Sequence, residues 1–168
     1  MSVFDLHPPH SQIWTYPEIL KRMISLKKTG RFKWLKYGKS GEGRNLWYSR
    51  FGNGKKRIML CCRQHGTEYT STHSMLHMMN SMILHPEEWQ DLLTKLEIIV
   101  IPVYNPDGAI FYDWVRQHGW CLHYKIMGMI NLTTGRTLHK LHKDPNRDHE
   151  KQRWPETQSF ARLMTDFN

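Results

Sequence analysis

A chain of 168 residues with 39% apolar content and a formal charge of +9 fits one globular domain that buries most of its core. Its longest apolar runs, such as "IMLCC" and "IIVIPV", fall far short of the roughly 18–20 residues that a membrane span needs, so no transmembrane segment is expected. The basic surplus raises nucleic acid as a partner, yet the charge is spread along the chain with no run longer than "KKR" at 55–57, and no specific nucleic-acid binding is expected.

The opening "MSVFDLHPPHSQIW" lacks the basic start and continuous apolar centre of a secretory signal, which makes a cytoplasmic location the default expectation. Three cysteines, Cys61, Cys62 and Cys121, are an odd number. Two of them are adjacent in an apolar run read as a buried strand, where neighbours point to opposite faces, so they read as reduced core packing. Neither a disulfide framework nor a cysteine zinc knuckle is expected.

Residues 1–13 read as an N-terminal arm, and the domain proper as 14–168. The spacing of Ile19, Leu20, Met23, Ile24 and Leu26 predicts a helix over 16–28, with Thr15 as N-cap, Pro17 in the first turn and Gly30 as the stop. "FKWLKYG" predicts a strand entering the turn-rich "GKSGEGRN", and "LWYSRFG" and "KRIMLCC" predict two more, joined through "GNGK", which has hairpin chemistry. From Thr70 to Leu84 the pattern of Met75, Leu76, Met79, Met82 and Ile83 predicts a helix with a Met-rich inner face, ended by Pro86. "EIIVIPVY" reads as a strand covered on both faces, and "NPDG" after it as a turn. Residues 109–143 show no clean period and read as a long loop with short elements, whereas "PETQSFARLMTDF" is helical. Strands alternating with helices define the fold class as α/β, a mixed β-sheet sandwiched by helices.

In open α/β sheets, ligand-binding residues gather at the carboxyl ends of the strands. His65 and Glu68 fall at such an end, separated by Gly66, and a three-residue spacing lets both side chains approach one point. An imidazole nitrogen and a carboxylate oxygen are two members of the His2Glu set that a catalytic zinc uses, with a fourth position left to water. The same two residues are consistent with plainer roles: a glutamate favoured by the dipole at a helix N-terminus, and a hydrogen-bonded loop histidine.

Three stretches in order carry a resemblance. "YGKSGEGRNLWYSRFGNGKKRIMLCCRQHGTEYTST", "IIVIPVYNPDGA" and "DPNRDHEKQRWPETQSFARLM" resemble the N-terminal part of bacterial M14 zinc carboxypeptidases, a likeness covering roughly residues 14–168 and poorest over 109–143. It implies that His65 and Glu68 are the first two ligands of one zinc ion. It implies that Asn146 and Arg147 hold the terminal carboxylate of a peptide substrate, a task suited to a planar guanidinium that donates two parallel hydrogen bonds. Read without the resemblance, "DPNRD" is a turn in which Arg147 is solvated or paired with Asp148.

The family also uses an arginine between the NPDG stretch and the Asn-Arg pair to polarise the scissile carbonyl, and Arg136 and Arg116 both qualify, with Arg136 the closer match in spacing to Asn146. The family's third ligand, a histidine beyond the PET helix, and its general-base glutamate have no counterpart before "LMTDFN". His149, and the pair His73 and His77, read as structural: His149 capping or pairing locally, the other two on a half-buried helix face. The implied function is a zinc metallocarboxypeptidase whose chain here stops before its third ligand and general base. Its alternatives are an inactive relative serving as a binding module and a zinc amide deacylase. Edges left uncovered by such a truncation predict self-association.

Overall fold

The computed structural model describes residues 13–117 and 145–167. Along this stretch the chain forms α1 (Tyr16–Lys28), β1 (Leu35–Lys39), β2 (Asn45–Phe51), β3 (Lys56–Cys61), α2 (Tyr69–Leu84), α3 (Pro86–Lys95), β4 (Leu96–Ile101), α4 (Pro106–Gln117), a 3₁₀ turn (Pro145–Arg147) and α5 (Pro155–Phe167).

The helix expected over 16–28 forms with those bounds. Glu18 reaches back to accept hydrogen bonds from the Thr15 amide and hydroxyl at 2.7 and 2.8 Å. Gly30 ends the segment at φ +76°. Tyr16, Ile19, Met23 and Leu26 are buried, whereas Ile24 is 54% exposed, so the apolar stripe is narrower than the sequence pattern implies.

The four strands form one mixed sheet in the order β1-β2-β4-β3. β1 and β2 are antiparallel, β2 and β4 are antiparallel, and β3 and β4 are parallel. This corrects the hairpin expected across "GNGK": β4 lies between β2 and β3. The connector instead wraps the junction of α3 and β4, where the amides of Asn53 and Gly54 donate to the carbonyls of Leu93 and Leu96 at 3.0 and 3.2 Å. A side chain at Gly54 would lie 1.8 Å from the Lys95 carbonyl carbon, so glycine is required there by this approach, not by a two-residue turn.

β4 is buried on both faces, as its unbroken apolar run predicts. Ile98 and Val100 face a core built with Trp14, just before α1, Ile19 of α1, and Met75, Leu76 and Met79 of α2; Ile99 and Ile101 face Leu163 and Phe167 of α5. β3 is more open than its sequence suggests, with Ile58 39% exposed, because among the described residues it is a sheet edge. Cys61 and Cys62 do point opposite ways, but only Cys62 joins the core; Cys61 is exposed.

"NPDG" is also corrected. It opens a helix, with Asn105 Oδ1 accepting the Gly108 amide at 2.8 Å and Pro106 as the first residue of α4. Residues that favour turns and those that favour helix starts are the same, and here the aromatic segment after Gly108 continues as helix to Gln117. The rest of the expected 109–143 loop lies outside the described residues.

His73 and His77 sit half-buried on α2 against Trp14, at ring separations of 4.1 and 5.5 Å, and the Trp14 amide donates to His73 Nε2 at 3.3 Å. Burial, then the positive charges of Arg63, His77 and Arg22, push the His73 imidazole down to about 4 from 6.5. The unfolded chain therefore takes up this proton first as pH falls. The contribution is complete above the unfolded value and drains between it and about 4. Urea unfolding at pH 7 and pH 4.5 checks this: a His73→Phe variant should lose less stability on acidification than the parent chain.

Candidate metal and substrate site

The loop that follows β3 is set by packing against the start of α4. Parallel pairing runs on past the strand ends: the Tyr104 amide donates to the Cys62 carbonyl at 2.9 Å and the Asn105 amide to the Arg63 carbonyl at 3.2 Å. A Cβ at Gly66 would lie 2.0 Å from the Gly108 carbonyl oxygen, so the two backbones touch where only glycine fits. This contact places residues 64–68 over the carboxyl end of the sheet, beside the first turn of α4.

His65 Nδ1 and Glu68 Oε1 are hydrogen-bonded to each other at 2.6 Å, as the plainer reading of a hydrogen-bonded loop histidine has it, and the His65 amide donates to Glu68 Oε2 at 3.1 Å. Glu68 stands at the N-cap of α2, but its carboxylate makes no cap bond to that helix. Its place at the helix N-terminus agrees with the plainer reading of a glutamate favoured there by the helix dipole. Both side chains remain partly exposed, at 28% and 49%. A neutral imidazole nitrogen and a carboxylate oxygen converging at a solvent-open rim suit a zinc ion's donor preferences, so the residues present fit such a group. Among the described residues no third His, Cys, Asp or Glu completes a cluster around this pair; the one three-residue group found, His85, Glu87 and Glu88, is exposed at the start of α3.

Asn146 and Arg147 lie exposed on the 3₁₀ turn. The turn is anchored from beneath by Asp148, which is buried and accepts the Arg153 amide at 3.0 Å, the Trp154 amide at 2.9 Å and the Thr157 hydroxyl at 2.5 Å. Burial works against the charged carboxylate, but these three donors together hold it below its ordinary range. Asp148 therefore serves the start of α5.

This turn and the loop of residues 64–68 meet through a contact the sequence does not announce: Gln64 Nε2 and His149 Nε2 are 2.9 Å apart across 85 residues of chain. The His149 ring packs edge-on against Tyr104 and Phe160 at 6.2 and 5.9 Å. His149 pairs over long range with Gln64, not locally as expected. Arg116, in the last turn of α4, donates Nη2 to the Ile13 carbonyl at 3.3 Å. Arg136 lies outside the described residues.

Two acidic residues that the sequence reading left unassigned hold the scaffold. Buried Asp107 accepts the Ser40 hydroxyl at 2.6 Å, the Glu42 amide at 2.9 Å and Arg44 Nη1 at 2.7 Å, and Glu156 accepts the Gly41 amide at 2.9 Å. The "SGEG" turn is thereby clamped between α4 and α5. The signal available was an acidic residue in the first turn of each helix, which on its own reads as dipole complementation.

A four-stranded mixed sheet with helices on both faces, and a His-Glu pair at its carboxyl edge, define a partial α/β scaffold. The Peptidase_M14 zinc carboxypeptidase model matches residues 20–166, and the chain belongs to that family. Among curated proteins it is 27% identical over 114 residues to probable carboxypeptidase 2 of Arthroderma benhamiae, covering 68% of this chain and 17% of that one. It is 26% identical over 149 residues to carboxypeptidase 2 of Trichophyton tonsurans, covering 80% and 23%. Among solved structures, carboxypeptidase A from Helicoverpa armigera superposes with a TM-score of 0.51 at 27% identity, covering 58% of this chain and 25% of that one. Bovine thrombin-activatable fibrinolysis inhibitor, solved with tick carboxypeptidase inhibitor, matches in fold at 0.53 and 20% identity, covering 60% and 33%. The chain thus spans about a quarter or less of the length of these curated relatives.

Proposed function

We propose that this chain supplies the zinc-binding and carboxylate-binding part of a metallocarboxypeptidase acting on peptides with a free C-terminus. The observation that carries the reading is the convergence of His65 Nδ1 and Glu68 Oε1 at the carboxyl edge of the sheet, within the family match. His65 and Glu68 would hold one zinc ion. Zinc bound there supplies Lewis acidity toward a peptide carbonyl and an activated water. The chain's own residues do the rest of the work assigned to them: Asn146 and Arg147 grip the terminal carboxylate, and Arg136, or failing that Arg116, stabilises charge developing on the scissile carbonyl.

Zinc content and hydrolysis of a short peptide, measured on this chain and on a version extended through the next histidine and glutamate, test the reading. Zinc bound by both and turnover in the extended protein support it. No zinc in either overturns it. A second reading, an inactive relative serving as a binding module, is favoured by the lack of a third donor around His65 and Glu68 among the described residues, and it predicts poor zinc binding and no hydrolysis in both proteins.

A finer test concerns recognition of the chain end. In the extended protein, Arg147→Lys should raise KM about tenfold for a peptide with a free carboxylate, because a point charge replaces a two-pronged donor, and leave hydrolysis of the C-terminally amidated peptide unchanged. Steady-state kinetics on the two peptides measure the difference.

A further inference from the structure

Arg63, two residues before His65, combines two costs at one position. Its backbone sits at φ +52°, where side chains are disfavoured, and it is only 1% exposed. A strained, buried arginine persists only where the surroundings hold it from several sides. Here they do so around the metal loop. Arg63 Nε donates to the carbonyl of Gly66, between His65 and Glu68, at 3.0 Å, and Nη2 donates to Asp113 on α4 at 3.2 Å. Asp113 in turn accepts the first amide of α1, Tyr16 N, at 2.7 Å. On its backbone side the Arg63 amide donates to Ser71 Oγ at 3.1 Å, and that hydroxyl donates to the Glu68 carbonyl at 2.9 Å.

We propose that Arg63 is the positioning residue of the metal loop: its guanidinium fixes the peptide between His65 and Glu68 and ties it through Asp113 to α4 and α1. The proposal rests on reading His65 and Glu68 as the metal pair. One planar cation with donors on two sides is what the task needs. A lysine offers a single point of charge and can satisfy Asp113 or Gly66, but not both in a fixed fork. A merely structural arginine would stabilise the packing of α4 and α1 without affecting how the pair receives a metal.

The test is a zinc titration of the full chain followed by the NMR signals of the His65 ring and the Glu68 amide, with thermal unfolding of the zinc-free protein in parallel. Arg63→Lys should weaken zinc binding about tenfold to a hundredfold, the range for residues that orient metal ligands, beyond what the accompanying fall in the zinc-free melting temperature accounts for. Arg63→Gly relieves the backbone at φ +52° while removing the guanidinium, and it should also lose affinity. Unaltered zinc affinity in either variant overturns the proposal, as does a loss that tracks the fall in melting temperature across Arg63→Lys, Arg63→Gly and Asp113→Asn. His65→Ala in the same titration separates the two levels. If it leaves zinc binding intact, the metal reading fails and Arg63's role falls with it; if it removes binding while Arg63→Lys does not, only the role of Arg63 is lost.

Discussion

Replacing His65 with alanine, or Glu68 with glutamine, is expected to lower zinc affinity by more than about a hundredfold and to remove hydrolysis by the extended protein. Loss of a residue that only orients a ligand costs tenfold to a hundredfold in affinity, and loss of the ligand itself must exceed that. Glu68→Gln is the more informative of the two. The amide can still accept the hydrogen bond that the His65 backbone donates at 3.1 Å, so the loop keeps its local tie while the negative charge disappears. Melting of the zinc-free protein should therefore hardly change, whereas a zinc titration should lose its response. Retained affinity in Glu68→Gln would place Glu68 among loop-structuring residues and remove it from the donor set.

Gly66→Ala is expected to be among the most damaging single-methyl changes at the described residues. The added carbon would lie 2.0 Å from the Gly108 carbonyl oxygen and 2.4 Å from its carbon, and both are backbone atoms that no rotamer change can move aside. Either the loop lifts from α4 or the first turn of α4 shifts. Overpacking of this kind costs about 3 kcal/mol, or a fall in melting temperature of about 6–12 °C for a chain of this size. Thr67→Ala next door, at an exposed position, should leave stability nearly unaltered. Lifting the loop also separates His65 from Glu68, so Gly66→Ala should lose zinc affinity together with stability. That pattern distinguishes it from Glu68→Gln. Differential scanning calorimetry and zinc titration of the three variants read both effects; a Gly66→Ala protein as stable as the parent would mean the two backbones do not meet.

What the sequence determined by itself was periodic or local. The stripe of α1, the Met-rich face of α2, the two-sided burial of β4 and the helix after Pro155 follow from spacing, because a helix or strand presents its faces at fixed intervals wherever it is placed. The His65–Glu68 pair was legible for the same reason: three residues across a strand-to-helix junction leave little room for the side chains to diverge. Tertiary structure alone decided the rest. "GNGK" carries hairpin chemistry, yet β4 is inserted between the strands it joins, since a turn's residues do not reveal which strand arrives later to pair. "NPDG" starts a helix because turn and cap chemistry coincide and only the packing of the following segment separates them. The Gln64–His149 contact and the tie from Arg63 through Asp113 to Tyr16 join residues 85, 50 and 97 positions apart, and no local pattern encodes such pairings. They arise because the sheet brings its carboxyl end, the start of α4 and the turn before α5 to one rim, where buried donors and acceptors must find partners in one another.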